Sequence, residues 1–471
     1  MQPLVVVEPD PGEVRSRRGL RVALASFGLV LAAISLVLLV WGEPILLFLT
    51  RARFETAPPA AAAGDAAQAE RQDIEQFGHF ADLDAGLSGD ARTAIDAERQ
   101  KLLARAGGLG SAQLAMGVAH AAALAGNLDS NADLASVPVA VLPVRFQWFA
   151  EGLYVVASQA SAAALLGARV ETIGGRTPDE VVAAFRPYHG GGTAGAARAA
   201  ALAVLQSPAL QAVLWPAQSP SEAALHLALP DGTAKDTTLA ALRAPAGPWQ
   251  ELALPAVPLS LRDRDQPVVA KPVGDGLYLR LGDIRDTAAA ERQFRAAIGG
   301  FAPGSMRWAV LDLRWTGAKQ PFLPSVIQDF ASRIEAEGHA FVLTGAGTGS
   351  GGVAVIAWAK NALGARAVIE GEVPGQVLSY WSAEGAPLVL PNSGLRVSFA
   401  TAFHDWQNGC RSLSCYWPDL FYGATVPTLE PDVAVHWRFE DYRQGIDTAL
   451  GRLAEMTKIR ELSYTPPKRT D

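Results

Sequence analysis

Residues 22–40 carry no charge, and their only polar side chains are Ser26 and Ser35. About 20 residues at ~1.5 Å rise cover a ~30 Å hydrocarbon core, so the run predicts a transmembrane helix over 22–41. A soluble core helix would interrupt such a run with polar positions at helical spacing. Arg15, Arg17, Arg18 and Arg21 precede it and favour a cytoplasmic tail over 1–21. Arg51 and Arg53, beyond a second apolar stretch at 45–49, weaken that asymmetry slightly. A cleaved signal peptide is the competing reading, with the small residues of 59–63 as the cut site. Its apolar region would be only ~7–15 residues long and close to the cut. Here the run is longer and the small residues come late.

Residues 42–70 form a linker, Ala/Pro-rich over 57–69 and without an apolar period. A small helical domain follows over 71–135, with helices at 91–106 and 111–124 separated by a glycine-rich break. After Asn131 the texture becomes β-branched and aromatic, predicting a β-rich domain over 136–250. Its strands fall at 137–146, 152–157 and 223–229, the last followed by an Asp231–Gly232 turn. Within it, Thr177, Pro178 and Glu180 spell a helix start with a capping box. Over 251–460 strands and helices alternate: strand 278–281, helix 287–298, strand 308–314, helix 325–337, strand 340–344, helix 353–363, strand 367–370. That order predicts an α/β domain with a largely parallel sheet, followed by a tail over 461–471. A later strand is expected at 396–403, and no fixed-period repeat is present.

At 49% hydrophobic and 18% charged, the chain can fill substantial cores. A formal charge of −7 and the lack of a basic patch argue against nucleic-acid binding. Cys410 and Cys415 are the only cysteines; in an oxidising compartment they can close a small loop, and free thiols are the alternative. Zinc needs about four ligands, and the nearby His404 supplies only a third, so no metal is expected. The abundance of Ala, Gly and Arg suits a high-GC bacterium. The expected location is then the inner membrane, with a single lipid-embedded helix and the folded part in the periplasm.

The densest chemical signal is the Gly345 to Gly352 loop, Gly-Ala-Gly-Thr-Gly-Ser-Gly-Gly, lying between a strand and a helix. Unpaired N–H groups and the dipole at a helix start stabilise negative charge, whether on a phosphate or on the oxyanion of acyl transfer. Gly347, Gly349 and Gly352 fit the dinucleotide-binding spacing, with Glu370 about 18 residues beyond. Against that reading, a strand and turn follow rather than a second mononucleotide-binding half.

A second reading takes the loop with the rest of the chain. Thr348-Gly349-Ser350 before a helix follows Asp312-Leu313-Arg314-Trp315-Thr316-Gly317 and precedes Leu390-Pro391-Asn392-Ser393-Gly394. Pro431-Asp432 and Asp441-Tyr442-Arg443-Gln444-Gly445-Ile446-Asp447 come later, and Leu142-Pro143-Val144-Arg145-Phe146 comes earlier. In this order they resemble the tail-specific (C-terminal processing) protease family, serine peptidases with a crotonase/ClpP-like catalytic domain. The resemblance runs from about residue 75 to 455. It implies a PDZ-like fold for 136–250, a peptidase domain over 251–460, polypeptide substrates and no cofactor. It also implies Ser350 as nucleophile, with Gly351 and Gly317 as the oxyanion donors.

The family's base is a lysine after the serine or a histidine in an Asp-Gly-His-Thr motif. Here the first position reads Val373, and the second reads Asn131 within Asp129-Ser130-Asn131-Ala132. Thr316 and Ala318 replace the family's Asn and second Gly. Glu370, Glu372 and His404 are the substitute candidates for base or orienting residue. Two functions follow from the pattern: a membrane-anchored serine peptidase, or a pseudoprotease that keeps the fold as a peptide-binding scaffold.

Overall fold

The computed structural model describes residues 26–37, 63–282, 284, 286–317, 324–411 and 414–458. The tails at 1–21 and 461–471, most of the linker and Ala318 lie outside the described residues. The chain divides into two compact units, Met1–Arg51 and Ala52–Asp471. In the first, the helix Ser26–Val37 falls inside the long uncharged run. Among the described residues no single helix is long and apolar enough to cross a membrane, and the flanks of the 22–41 run are not described.

The second unit is mixed α/β. Its main sheet has the order Val433–Ala434, Ala367–Gly371, Ile334–Thr344, Met306–Asp312, Gly276–Leu281, Val268–Val273. All neighbours are parallel except the last pair, which is an antiparallel hairpin. Such a sheet needs both faces covered. One face packs the helices Thr287–Gly299, Pro324–Arg333 and Ser350–Leu363 through residues including Phe294, Phe330 and Val353. The other face packs the helix Thr448–Thr457 through Leu450 and Leu453.

A second, antiparallel sheet runs Val144–Phe149, Gly152–Ser158, Arg169–Ile173, Glu222–Ala228, Ala234–Ala240. It shares one hydrophobic core with the helices Ala66–Phe77, Gly89–Ala104 and Gly110–Ala123. Leu388, Leu390, Leu395 and Val397 from the C-terminal part join the same core. The capping box forms, with Thr177 accepting from the Glu180 N–H and the Glu180 carboxylate returning to the Thr177 N–H.

Four elements depart from the hydrophobic pattern. The helix Ala66–Phe77 begins inside the expected 42–70 linker, and the strand expected over 137–146 begins only at Val144. The helix expected over 325–337 stops at Arg333, because Ile334 pairs with Met306 and starts a strand. Sheet pairing there overrides the helical preference of Ile334-Glu335-Ala336-Glu337. The strand expected over 396–403 is split between two small sheets, Arg396–Val397 beside Ala132–Asp133 and Ala402–Asp405 beside Ser379–Ser382. The chain between them crosses over, donating from Ser398 N–H to Asn131 and from Ala400 N–H to Asp84. This crossing brings His404 and the loop bearing Asp129 to the same place.

Candidate functional site

Ser350 is the first residue of a helix whose opening turn is built from close backbone contacts. A Cβ on Gly347 would lie 2.6 Å from the Arg314 carbonyl oxygen, so only glycine lets the loop approach that strand end. Thr348 ties the loop down, its hydroxyl donating to Leu313 (3.0 Å) and accepting from the Gly345 N–H (3.0 Å). From the β-rich domain, Thr193 donates its N–H to Gly375 (2.9 Å) and its hydroxyl to Pro374 (3.0 Å), in the turn whose Gly375 N–H donates to the Thr348 carbonyl (2.9 Å). The result is a serine only 2% exposed.

The Ser350 hydroxyl donates to the Asp129 carboxylate. That residue follows the helix Gly110–Ala123, on a turn held in two places. Ser130 donates to Asp84 (2.6 Å), and Asn127 donates to the Trp381 carbonyl (2.8 Å). Burial raises the Asp129 pKa to about 7; the Ser350 hydrogen bond opposes the rise, the Glu384 charge adds to it, and the His404 charge opposes it. A carboxylate titrating there is matched to general-base work near neutral pH.

Around this pair lies a buried polar cluster. Tyr380 donates its hydroxyl to the Ser350 carbonyl (2.8 Å) and accepts from the Trp406 indole (3.1 Å). The His404 ring stacks on Tyr380 with centroids 5.0 Å apart. Its Nδ1 lies 2.7 Å from Asp419 and its Nε2 lies 2.8 Å from the Ser382 hydroxyl. Ser382 in turn donates to Glu384 (2.7 Å). Burial works against a charge on His404, but Asp419 and Glu384 outweigh it and raise its pKa to about 9. The imidazole is therefore a cation at neutral pH.

The sequence candidates divide sharply. Asn131 is not at the serine: its side-chain amide donates to the Leu128 carbonyl (2.6 Å), and Asp129, two residues earlier, takes the partner's place. Glu370 points to the other face of the sheet. Val368 packs toward the C-terminal helix, and by strand alternation Glu370 shares that face, while Ile369 faces the Ser350 helix. Burial pushes Glu370 up to about 7, opposed by Arg452 at 4.0 Å. Glu372 is on the surface with His436 (3.3 Å). His404 belongs to the cluster, with both ring nitrogens on Asp419 and Ser382 rather than aimed at Ser350.

The oxyanion pair is closed in this structure. The Gly351 N–H donates to the Gly317 carbonyl (3.1 Å), so Gly317 faces it with an acceptor where the expected arrangement needs a second donor. The Gly349 N–H is likewise used, by Thr316 (2.8 Å). These pairings occupy the Gly349 and Gly351 N–H groups that a pyrophosphate or an oxyanion at this helix start would need.

The motif Asp312-Leu313-Arg314 supports the site from the side. Arg314 donates to Asp312 (2.9 and 2.7 Å) and to Asp447 (3.1 and 2.8 Å), while Tyr278 donates to Asp312 (2.9 Å). Burial opposes the Arg314 charge, but the two carboxylates outweigh it and hold the guanidinium firmly protonated. This network fixes the strand end that carries Thr316 and Gly317 to the Ser350 loop.

Cys410 and Cys415 form a disulfide in the loop between His404 and Asp419. Beside it, Tyr416 N–H donates to the Phe403 carbonyl (2.7 Å), which brings Asp419 back to the histidine. Replacing Cys415 by Ser is expected to cost about 2 kcal/mol in urea unfolding, from loop-closure entropy alone.

The cluster also sets a pH dependence of stability. Asp129 and His404 both have folded pKa values raised above the ordinary 3.8 and 6.5. Each contribution is complete below the ordinary value and is lost as pH rises through the folded one, about 7 and about 9. Unfolding free energy measured from pH 4 to 10 is therefore expected to fall in two stages. The first stage should shrink in Asp129→Asn, leaving the share of Glu370, whose folded value is also raised to about 7, and the second should disappear in His404→Gln.

No protein-family model matches the chain, and no curated protein matches it. Solved structures do. Mature CPAF is similar at 13% identity and TM-score 0.47, over 84% of this chain and 98% of that one. The photosystem II D1 C-terminal processing protease is similar at 12% identity and TM-score 0.29, over 80% and 94%. The tricorn protease is similar at 14% identity and TM-score 0.36, over 83% of this chain and 37% of that one. Likenesses at these identities and TM-scores assign neither a family nor an activity, which leaves the geometry of the Ser350 cluster to carry the function.

Proposed function

We propose that this chain is a serine-type peptidase in which Asp129 is the general base. One observation carries the reading: the Ser350 hydroxyl, at the positive end of a buried helix, donates to a carboxylate that titrates near neutrality. As Ser350 Oγ bonds to the substrate carbonyl carbon, its proton passes to Asp129 and the carbonyl electron pair becomes the oxyanion. Collapse of that intermediate breaks the C–N bond while Asp129 returns the proton to the leaving amine. Water then releases the acyl group by the same steps in reverse.

For the oxyanion to be held, the Gly317 carbonyl must turn away and free the Gly351 N–H. The structure thus corresponds to a resting arrangement in this reading. The ordered motifs around Ser350 support polypeptides as the substrate class. The uncharged run at 22–40 and the arginines before it support tethering to a membrane, with the folded unit outside the cytoplasm. That placement favours exported or membrane-bound polypeptides as targets.

The closed Gly351–Gly317 contact also favours a second reading, a lapsed peptidase serving as a binding scaffold. Treating the full-length chain with a fluorophosphonate and mapping the adduct by mass spectrometry separates the two. The peptidase reading expects an adduct on Ser350 that is absent in Ser350→Ala. Absence of any adduct between pH 5 and 9 would leave the scaffold reading.

A further inference from the structure

The base has an elaborate setting that acyl transfer by a Ser–Asp pair does not itself require. The two-stranded sheet of Ser379–Ser382 and Ala402–Asp405 carries its polar groups inward at one end, next to Asp129. Ala383 presents its backbone amide to the Asp129 carboxyl, and the residues on either side of it, Ser382 and Glu384, both reach His404. His404 is fully enclosed: Asp419 at 2.7 Å on one nitrogen, Ser382 at 2.8 Å and Glu384 at 3.8 Å on the other, and Tyr380, Trp406 and Tyr416 against its ring.

A buried imidazolium flanked by two acids is a poor way to fill space. Well-packed apolar residues of the same volume are commonly as stable or more so. The cluster does have an electrostatic consequence, because a buried carboxylate beside a serine tends to take up a proton and cease to be a base. The charged groups facing Asp129 are Glu384, which drives it toward the neutral form, and His404, which drives it toward the anion. Tyr380, stacked on His404 and bonded to the Ser350 carbonyl, is held neutral, since burial pushes its hydroxyl well above the ordinary range.

From this arrangement we infer that His404, held by Asp419, is a positioning residue for the Asp129 base: a resident cation that keeps the carboxylate ionised and facing Ser350, with Glu384 as its opponent. The inference rests on Asp129 being the base. In effect the site replaces the usual single histidine base with a carboxylate that takes the proton and a histidine that never gives its own away. His404 acts through Asp129 and touches neither the Ser350 hydroxyl nor a substrate.

The test uses opposite charge changes on the two sides of Asp129. In the full-length chain, the second-order rate of fluorophosphonate labelling at Ser350 is followed against pH. His404→Gln should move the rising limb to higher pH by roughly one unit, which lowers the rate at pH 7 several-fold. Asp419→Asn should move it the same way, and serves if His404→Gln does not fold. Glu384→Gln should move it to lower pH. A merely structural role predicts lower rates with the limb in place. Limbs that stay put, or that move in the same direction for His404→Gln and Glu384→Gln, overturn the inference while leaving the peptidase reading intact.

If the wild-type serine is never labelled, the peptidase reading fails separately. The midpoint of the Asp129 carboxyl carbon resonance, assigned by its loss in Asp129→Asn, then reads the same quantity in aspartate-labelled protein. It should rise in His404→Gln and fall in Glu384→Gln, and an unmoved midpoint rejects the inference.

Discussion

Asp129→Asn is expected to lower hydrolysis of denatured casein and labelling of Ser350 by on the order of 10²–10⁴-fold, because the amide keeps the shape and loses the base. The substituted side chain can still face the Ser350 hydroxyl through its carbonyl oxygen, so the serine stays oriented while its proton has nowhere to go. Stability should move the other way above pH 7, where the wild type holds a buried anion and the variant does not. Loss of rate together with gained alkaline stability separates a missing base from a damaged fold. A variant that loses both would mean that Asp129 serves mainly to hold the 127–131 turn in place.

Arg314→Met is expected to have the largest effect on stability, about 3–5 kcal/mol in urea unfolding, because it leaves Asp312 and Asp447 buried without their cation. Part of that loss should return at low pH, where both carboxyls become protonated. Met fills much of the volume of the arginine stem, so a cost well below this range would show that the two acids find other partners. The labelling of Ser350 should fall as well, since the same guanidinium fixes the strand end from which Thr316 meets the Gly349 N–H.

Much of the architecture was legible in the chain because it rests on local periodicity. The alternation after residue 277 marks the strands Gly276–Leu281 and Met306–Asp312 and the helices Thr287–Gly299 and Ser350–Leu363 closely. The glycine-rich turn before Ser350 was legible for the same reason, as its spacing reports a close backbone approach. What was not legible depends on contacts between distant parts of the chain. Ile334 becomes a strand residue only because Met306 lies beside it. Asp129 and Ser350 are 221 positions apart, and nothing near either announces the pairing.

The motif containing Asp129 places Asn131 where the family's histidine is expected. A carboxylate two residues before that seat was the available signal. Glu370 and Glu372 looked suitable by proximity in sequence, but strand alternation sends the first to the opposite face, and the second lies at the surface with His436. Asp419 and Glu384 carried no signal, because a lone acidic residue in sequence is far more often a solvated one.

The most direct measurement is the pH at which labelling of Ser350 by a fluorophosphonate reaches half its maximal rate, in the full-length wild type and in Asp129→Asn. A carboxylate base predicts half-maximum near the Asp129 value of about 7 in the wild type, and in the variant a slow rate with no limb there. A limb of unchanged position and height in Asp129→Asn would show that another group takes the serine's proton.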